Sequence, residues 1–198
     1  MKTIKENSSA TIKIQRSEFI AHLYPIDEVN QVKEIFSLHS EKYKDATHNC
    51  YAYVIGKKQE IQYYSDQGEP SGTAGKPILN SLLKYKLTNT LAIVTRYYGG
   101  IKLGIRGLID AYSEVMELAI SQSKIIDYMV YVTKKIECDY SVSESLKHLL
   151  KQYKVKVIPL EYSVLVKAEI SFPEEYSSKV NKILDDFIQR GQISFLRD

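Results

Sequence analysis

The sequence predicts an α+β protein in two units, on three observations. Segments of period-two alternation recur between segments with apolar residues every three or four positions, the two periods of strands and helices. From about residue 128 the elements run β-α-β-β-α-β, the ferredoxin-like order. Most of the chain's nine glycines fall within residues 66–107, at turns between strand-like and helical stretches.

The elements follow in order. Ile12 and Ile14 alternate with Thr11, Lys13 and Gln15, giving a strand over 10–16, and a second runs from Phe19 to Tyr24 and breaks at Pro25. Asp27 is placed to cap a helix whose Val29, Val32, Phe36 and His39 form one stripe. Residues 48–55 put Cys50, Ala52 and Val54 on one strand face and Tyr51 and Tyr53 on the other. A turn at Gly56-Lys57-Lys58 returns the chain as Ile61 to Ser65, carrying Tyr63 and Tyr64. Pro77 suits the opening of a helix that buries Ile78, Leu79, Leu82 and Leu83. Thr90 to Tyr97 is apolar on both faces, as a central strand requires. A helix with Leu108, Tyr112, Val115 and Ala119 in register then runs to about Lys124.

In the second unit, Val130, Val132, Ile136 and Cys138 alternate on a strand, and Val142, Leu146, Leu149, Leu150 and Tyr153 make a helical stripe. Val155–Val157 and Val164–Ile170 read as two strands. Tyr176, Val180, Ile183, Leu184 and Phe187 form a helix closed by Gly191, and Ile193–Phe195 a last strand. No linker rich in proline, glycine or serine separates 1–127 from 128–198.

Composition narrows the functional classes. The 198 residues carry a net charge of only +3, so a nucleic-acid surface requires local clustering of cations rather than bulk charge. Cys50 and Cys138 are far apart and read as reduced, buried thiols. No apolar signal core opens the chain, and its longest aliphatic run, Leu91 to Val94, is too short to span a bilayer. The expectation is a soluble, cytoplasmic protein without membrane contact.

Two motifs carry the chemistry: Asp66-Gln67-Gly68-Glu69-Pro70-Ser71-Gly72-Thr73-Ala74-Gly75-Lys76-Pro77 and Thr95-Arg96-Tyr97-Tyr98-Gly99-Gly100-Ile101-Lys102-Leu103-Gly104-Ile105-Arg106-Gly107. A Walker loop is absent, because Pro70 stands at its first glycine and Pro77 at its hydroxyl position. What remains is a glycine-rich turn before a helix, a general anion site. His48-x-Cys50 lacks the second pair a zinc site needs, so neither metal nor cofactor is expected. Lys76, Arg96, Lys102 and Arg106, with Tyr97 and Tyr98 beside them, match what loop or single-stranded RNA asks for: cations for phosphates and rings for bases. The main chain at Gly72, Gly75, Gly99 and Gly100 would approach the ligand closely. Asp66, Glu69 and His48, with Ser71 or Thr73 as nucleophile, leave an acid-base enzyme open as an alternative.

These two motifs, with Thr47-His48-Asn49-Cys50 and Tyr51-Ala52-Tyr53, resemble the paired signatures of the YigZ/IMPACT family. The resemblance covers 1–127 as that family's N-terminal domain and 128–198 as the C-terminal domain of its bacterial members. It implies a first domain like domain 2 of ribosomal protein S5, with helices on one sheet face. It also implies a ferredoxin-like second domain similar to domain V of elongation factor G. Eukaryotic relatives regulate translation by binding a partner of the amino-acid-starvation kinase. A non-enzymatic RNA- or ribosome-associated protein modulating translation or a stress response is the leading expectation, with a protein-interaction module as a third. The chain departs from the family pattern at Arg106, in place of a glycine, and at Asp110, in place of an arginine; the two are spaced to pair across a helical turn.

Overall fold

Residues 1–162 and 165–196 are described by a computed structural model, in which the chain divides into the units Met1–Tyr128 and Met129–Asp198. The first unit runs β1 (Lys2–Ile4), β2 (Ser8–Ile14), β3 (Ser17–Pro25), α1 (Val29–Lys42), β4 (His48–Ile55), β5 (Ile61–Ser65), α2 (Gly75–Lys84), β6 (Thr90–Tyr97), α3 (Gly104–Gln122) and β7 (Ile125–Asp127). Five of these strands form an antiparallel sheet in the order β2-β3-β6-β4-β5.

Strand alternation sorts the two sheet faces. Ala92 and Val94 of β6, with Phe19, Ala21, Cys50, Ala52 and Val54, pack against Ile78 and Leu82 of α2 and Tyr112, Val115 and Ala119 of α3. Leu91 and Ile93 point the other way and join Val32 of α1, with Phe36, Tyr51 and Tyr53 beside them. Thus β6 is buried on both faces, as its composition requires. Helices on one face alone, which the resemblance implies, is corrected: α1 covers the opposite face, because its stripe of Val29, Val32 and Phe36 needs apolar partners of its own.

Local chemistry moves several boundaries. The first hairpin turns at Gln15 and Arg16, both at positive φ (44° and 66°), so β2 ends at Ile14 and Ser17 opens β3. Two positive angles in succession fit the right-handed twist of the flanking strands. Pro25 does not break β3 but ends it, opposite Thr90. Glu28, not Asp27, precedes α1; Gln31 Oε1 accepts from the Glu28 N–H at 3.2 Å, and Asp27 Oδ1 accepts from Asn89 Nδ2 at 3.3 Å. His39, in the last turn of α1, is buried against the sheet, with Nε2 2.8 Å from the Thr95 hydroxyl and Nδ1 3.1 Å from that of Tyr24. Burial pushes its pKa down to about 4. β1 pairs with β7 as a separate ribbon, Lys2 opposite Asp127 and Ile4 opposite Ile125.

The second unit runs β8 (Tyr131–Cys138), α4 (Tyr140–Leu150), β9 (Lys156–Tyr162), β10 (Val166–Pro173), α5 (Ser177–Gln189) and β11 (Ile193–Phe195). Its antiparallel sheet has the order β11-β8-β10-β9. Ile136, Ala168, Ile170 and Phe172 face Leu146 and Leu150 of α4 and Val180, Leu184 and Phe187 of α5. Leu149 is exposed rather than part of the stripe. β9 runs well past the expected Val157, through Pro159, which an edge strand accommodates; a register shift at Lys167/Ala168 marks the spot. Val164 lies outside the described residues. Among the described residues no helix is long and apolar enough to cross a membrane.

Candidate functional site

One end of the five-stranded sheet gathers the β2–β3 turn, the start of β4, the loop after β5 and the segment joining β6 to α3. Both glycine motifs meet there: the first is stitched by its own Asp66, and the second is tied to it through Arg96 and Glu69.

Asp66 follows β5 and turns its carboxylate into the loop after it. Oδ2 accepts the Gly72 N–H at 2.8 Å; Oδ1 accepts those of Ala74 (3.0 Å) and Gly75 (2.8 Å). The amides expected to meet a ligand at Gly72 and Gly75 are therefore occupied from within. This corrects the anion site at the start of α2, whose helix dipole is already matched by a carboxylate. Gly75 is required because a Cβ would lie 2.8 Å from the backbone of Ser65. We expect Asp66→Ala to lower stability by about 3 kcal/mol, the upper range for hydrogen bonds to a charged group, since three amides lose their acceptor. Asp66→Asn should recover part of this, as read from urea unfolding midpoints.

Arg96, expected to engage phosphate, is likewise turned inward. Alternation along β6 places it on the same face as Ala92 and Val94, where it is 5% exposed. Its Nη1 donates to Glu69 Oε1 at 2.6 Å, and the same oxygen accepts from the Tyr112 hydroxyl at 2.9 Å. The guanidinium carbon lies 5.2 Å from the Phe19 ring centre and 5.3 Å from that of Tyr98. Nη2 reaches Ser17 Oγ at a long 3.4 Å, and Nε has no partner. Burial pushes the Cys50 thiol up to about 12 and the Tyr112 hydroxyl well above the usual phenol range, so both stay protonated. Cys50 Sγ donates to the Asp66 carbonyl at 2.8 Å.

The three acid-base candidates are thus held together. His48 donates from Nδ1 to the Gln67 carbonyl at 2.9 Å, and its Nε2 lies 4.0 Å from Glu69 Oε2. Asp66 binds amides and Glu69 binds Arg96 and Tyr112, so both carboxylates fasten the loop. Ser71 is exposed, and Thr73 Oγ1 donates to the Pro70 carbonyl at 2.7 Å. Among the described residues no group of three His, Cys, Asp or Glu is placed to hold a metal ion.

The outer layer is cationic. Lys76, Lys102 and Arg106 are exposed. Arg106 approaches Asp110 only to 4.0 Å with its side chain 95% exposed, a contact worth at most about 1 kcal/mol. Tyr98 is 43% exposed on one side of Arg96, whereas Tyr97 turns to the other face and donates to Asp45 Oδ1 at 3.0 Å. Tyr51, Tyr53 and Tyr63 stack among themselves, with ring centres 5.6–5.8 Å apart along the chain of contacts. Gly99 lies against the β2–β3 turn: its N–H donates to Ser17 Oγ at 3.2 Å, and a Cβ there would sit 2.0 Å from the Arg16 carbonyl oxygen. Gly100 follows at φ 86°. That contact brings exposed Arg16 to the site, a residue the sequence reading did not include. Its only signal was a two-residue turn whose position depends on the distant pairing of β3 with β6. Finally, among the described residues no side chain caps α3, and its first turn holds no acidic residue.

The chain matches the model of the Impact N-terminal domain over residues 15–120. It is 32% identical over 200 residues to the IMPACT family member YvyE of Bacillus subtilis, covering 98% of this chain and 92% of that protein. It is 33% identical over 186 residues to the IMPACT family member YigZ of Escherichia coli, covering 93% and 91%. A crystal structure of a hypothetical protein superposes with a TM-score of 0.69 at 30% identity, covering all of this chain and 96% of the other.

Proposed function

The chain belongs to the IMPACT family, and from that premise we propose that it binds RNA, free or on the ribosome, and thereby modulates translation or a stress response. One observation carries this reading: an uncapped helix N-terminus at Gly104, set between the exposed cations Lys102 and Arg106 and close in sequence to the exposed ring of Tyr98. Free N–H groups and a helix dipole attract a phosphate, nearby cations strengthen the attraction, and a ring offers a base its stacking face. Arg16 and Lys76 extend the field. Arg96 supports the site from beneath, holding Tyr98 in place rather than meeting the ligand. In the same reading the first unit is S5 domain 2-like. The second, with its strands in the order fourth-first-third-second, is ferredoxin-like.

The test is a salt series of fluorescence-anisotropy titrations with a loop-containing RNA. Affinity should fall steeply with salt. Lys102→Ala with Arg106→Ala should reduce the slope of log K against log salt by about 1.4–1.8, since each neutralised phosphate contributes about 0.7–0.9. A slope unchanged by the double substitution, or an affinity flat in salt, overturns the reading.

A further inference from the structure

The first two turns of α3 are uncovered on one side. Leu108, Ala111, Tyr112 and Val115 hold the core, but Ile105 and Ile109, one turn apart, face solvent, Ile105 at 67% exposure. Ile101 and Tyr98, just before the helix, are exposed as well. Single exposed apolar residues are ordinary; four large ones within twelve positions make a patch.

RNA accounts for the cations and the tyrosine but has no use for the isoleucines, because phosphates seek charge and bases seek rings. Lys102 and Arg106 interleave with those isoleucines along the chain, and the uncapped start of α3 adds positive potential at the same end. Asp110, one turn beyond Arg106, reverses the sign there. An occupant complementary to this surface has an apolar stripe for Ile101, Ile105 and Ile109 and carboxylates confined to the end beside Lys102 and Arg106. An amphipathic acidic helix of a protein partner has that chemistry.

We propose that the N-terminal end of α3 is a docking surface for an acidic amphipathic helix, and that such a helix excludes RNA from the same cations. The seat rests on the isoleucines; only the competition rests on the RNA reading. The full chain, labelled with ¹⁵N, is titrated with a synthetic acidic amphipathic peptide of about four helical turns, with a scrambled peptide of equal composition, and with anionic phospholipid vesicles. Shift changes should concentrate at 98–110 with the amphipathic peptide and be absent with the scrambled one. Ile105→Ser with Ile109→Ser should weaken peptide binding about tenfold or more and leave RNA affinity within about twofold. The peptide should displace labelled RNA.

Equal response to both peptides, no response to either, or preferential binding of the vesicles overturns the docking surface. Loss of RNA affinity matching the loss of peptide affinity in the isoleucine variant assigns the stripe to RNA and overturns it too. Peptide shifts in a protein that binds no RNA leave the seat standing and remove the competition alone.

Discussion

Glu69→Ala should lower the unfolding free energy by about 3–5 kcal/mol, the cost of leaving a buried charge without its partner. Arg96 has no route to water: its guanidinium sits between Phe19 and Tyr98 and 5% of the residue is exposed. With Glu69 gone, Nη1 joins Nε without an acceptor, and the Tyr112 hydroxyl loses its own. Arg96→Ala should cost a similar amount by stranding the carboxylate. A third variant changes both positions to methionine. That pair should cost clearly less than either single variant, because apolar side chains of similar size often replace a buried ion pair at little net loss. Urea unfolding of the four proteins checks this; a loss in the double variant as large as in either single would show that the pair does not act as a unit.

Gly99→Ala should be the most damaging of the glycine substitutions. A methyl group there meets the Arg16 carbonyl at 2.0 Å, and backbone cannot step aside as a flexible side chain does. The hairpin turn and the β6–α3 segment must separate, which breaks the Gly99 N–H to Ser17 contact. A loss of about 3 kcal/mol, at the top of the usual overpacking range, is expected. Gly72→Ala meets no atom within 4 Å and is strained only by its positive φ of 76°, so about 1 kcal/mol should suffice there. Thermal unfolding ranks the variants. If Gly99→Ala melts with the parent protein, the close approach of the two segments is wrong.

How far the sequence reveals this molecule depends on the range of the interaction that decides each feature. Period and composition are local, and they place the sheet strands, the helices and the two-faced burial of β6. Residues that pair at long range were harder to read. The β1 segment carries no alternation long enough to register and exists because Ile125 lies opposite Ile4. At the site, the glycine motifs were visible, but the direction of Arg96 was not. Its partner Glu69 lies 27 positions earlier and Tyr112 16 positions later, and only the β3-β6-β4 order brings them together. Side-chain type announced charge and rings; it did not say which cation was interior. The same limit applied to Asp66, whose turn position was legible although the three amides it binds were not.

The ribbon of β1 and β7 has a consequence for assembly. Lys2 exchanges main-chain bonds with Lys86 and Thr88, and the Met1 carbonyl accepts from Tyr128. The segment that opens this unit is therefore held in part by residues 86–88 and completes its pairing only with residues 125–128, at the unit's other end. Ile4, one of the interior side chains, must wait exposed until then. The first unit is fastened by its own two ends, so its assembly is complete only when residues 125–128 are in place.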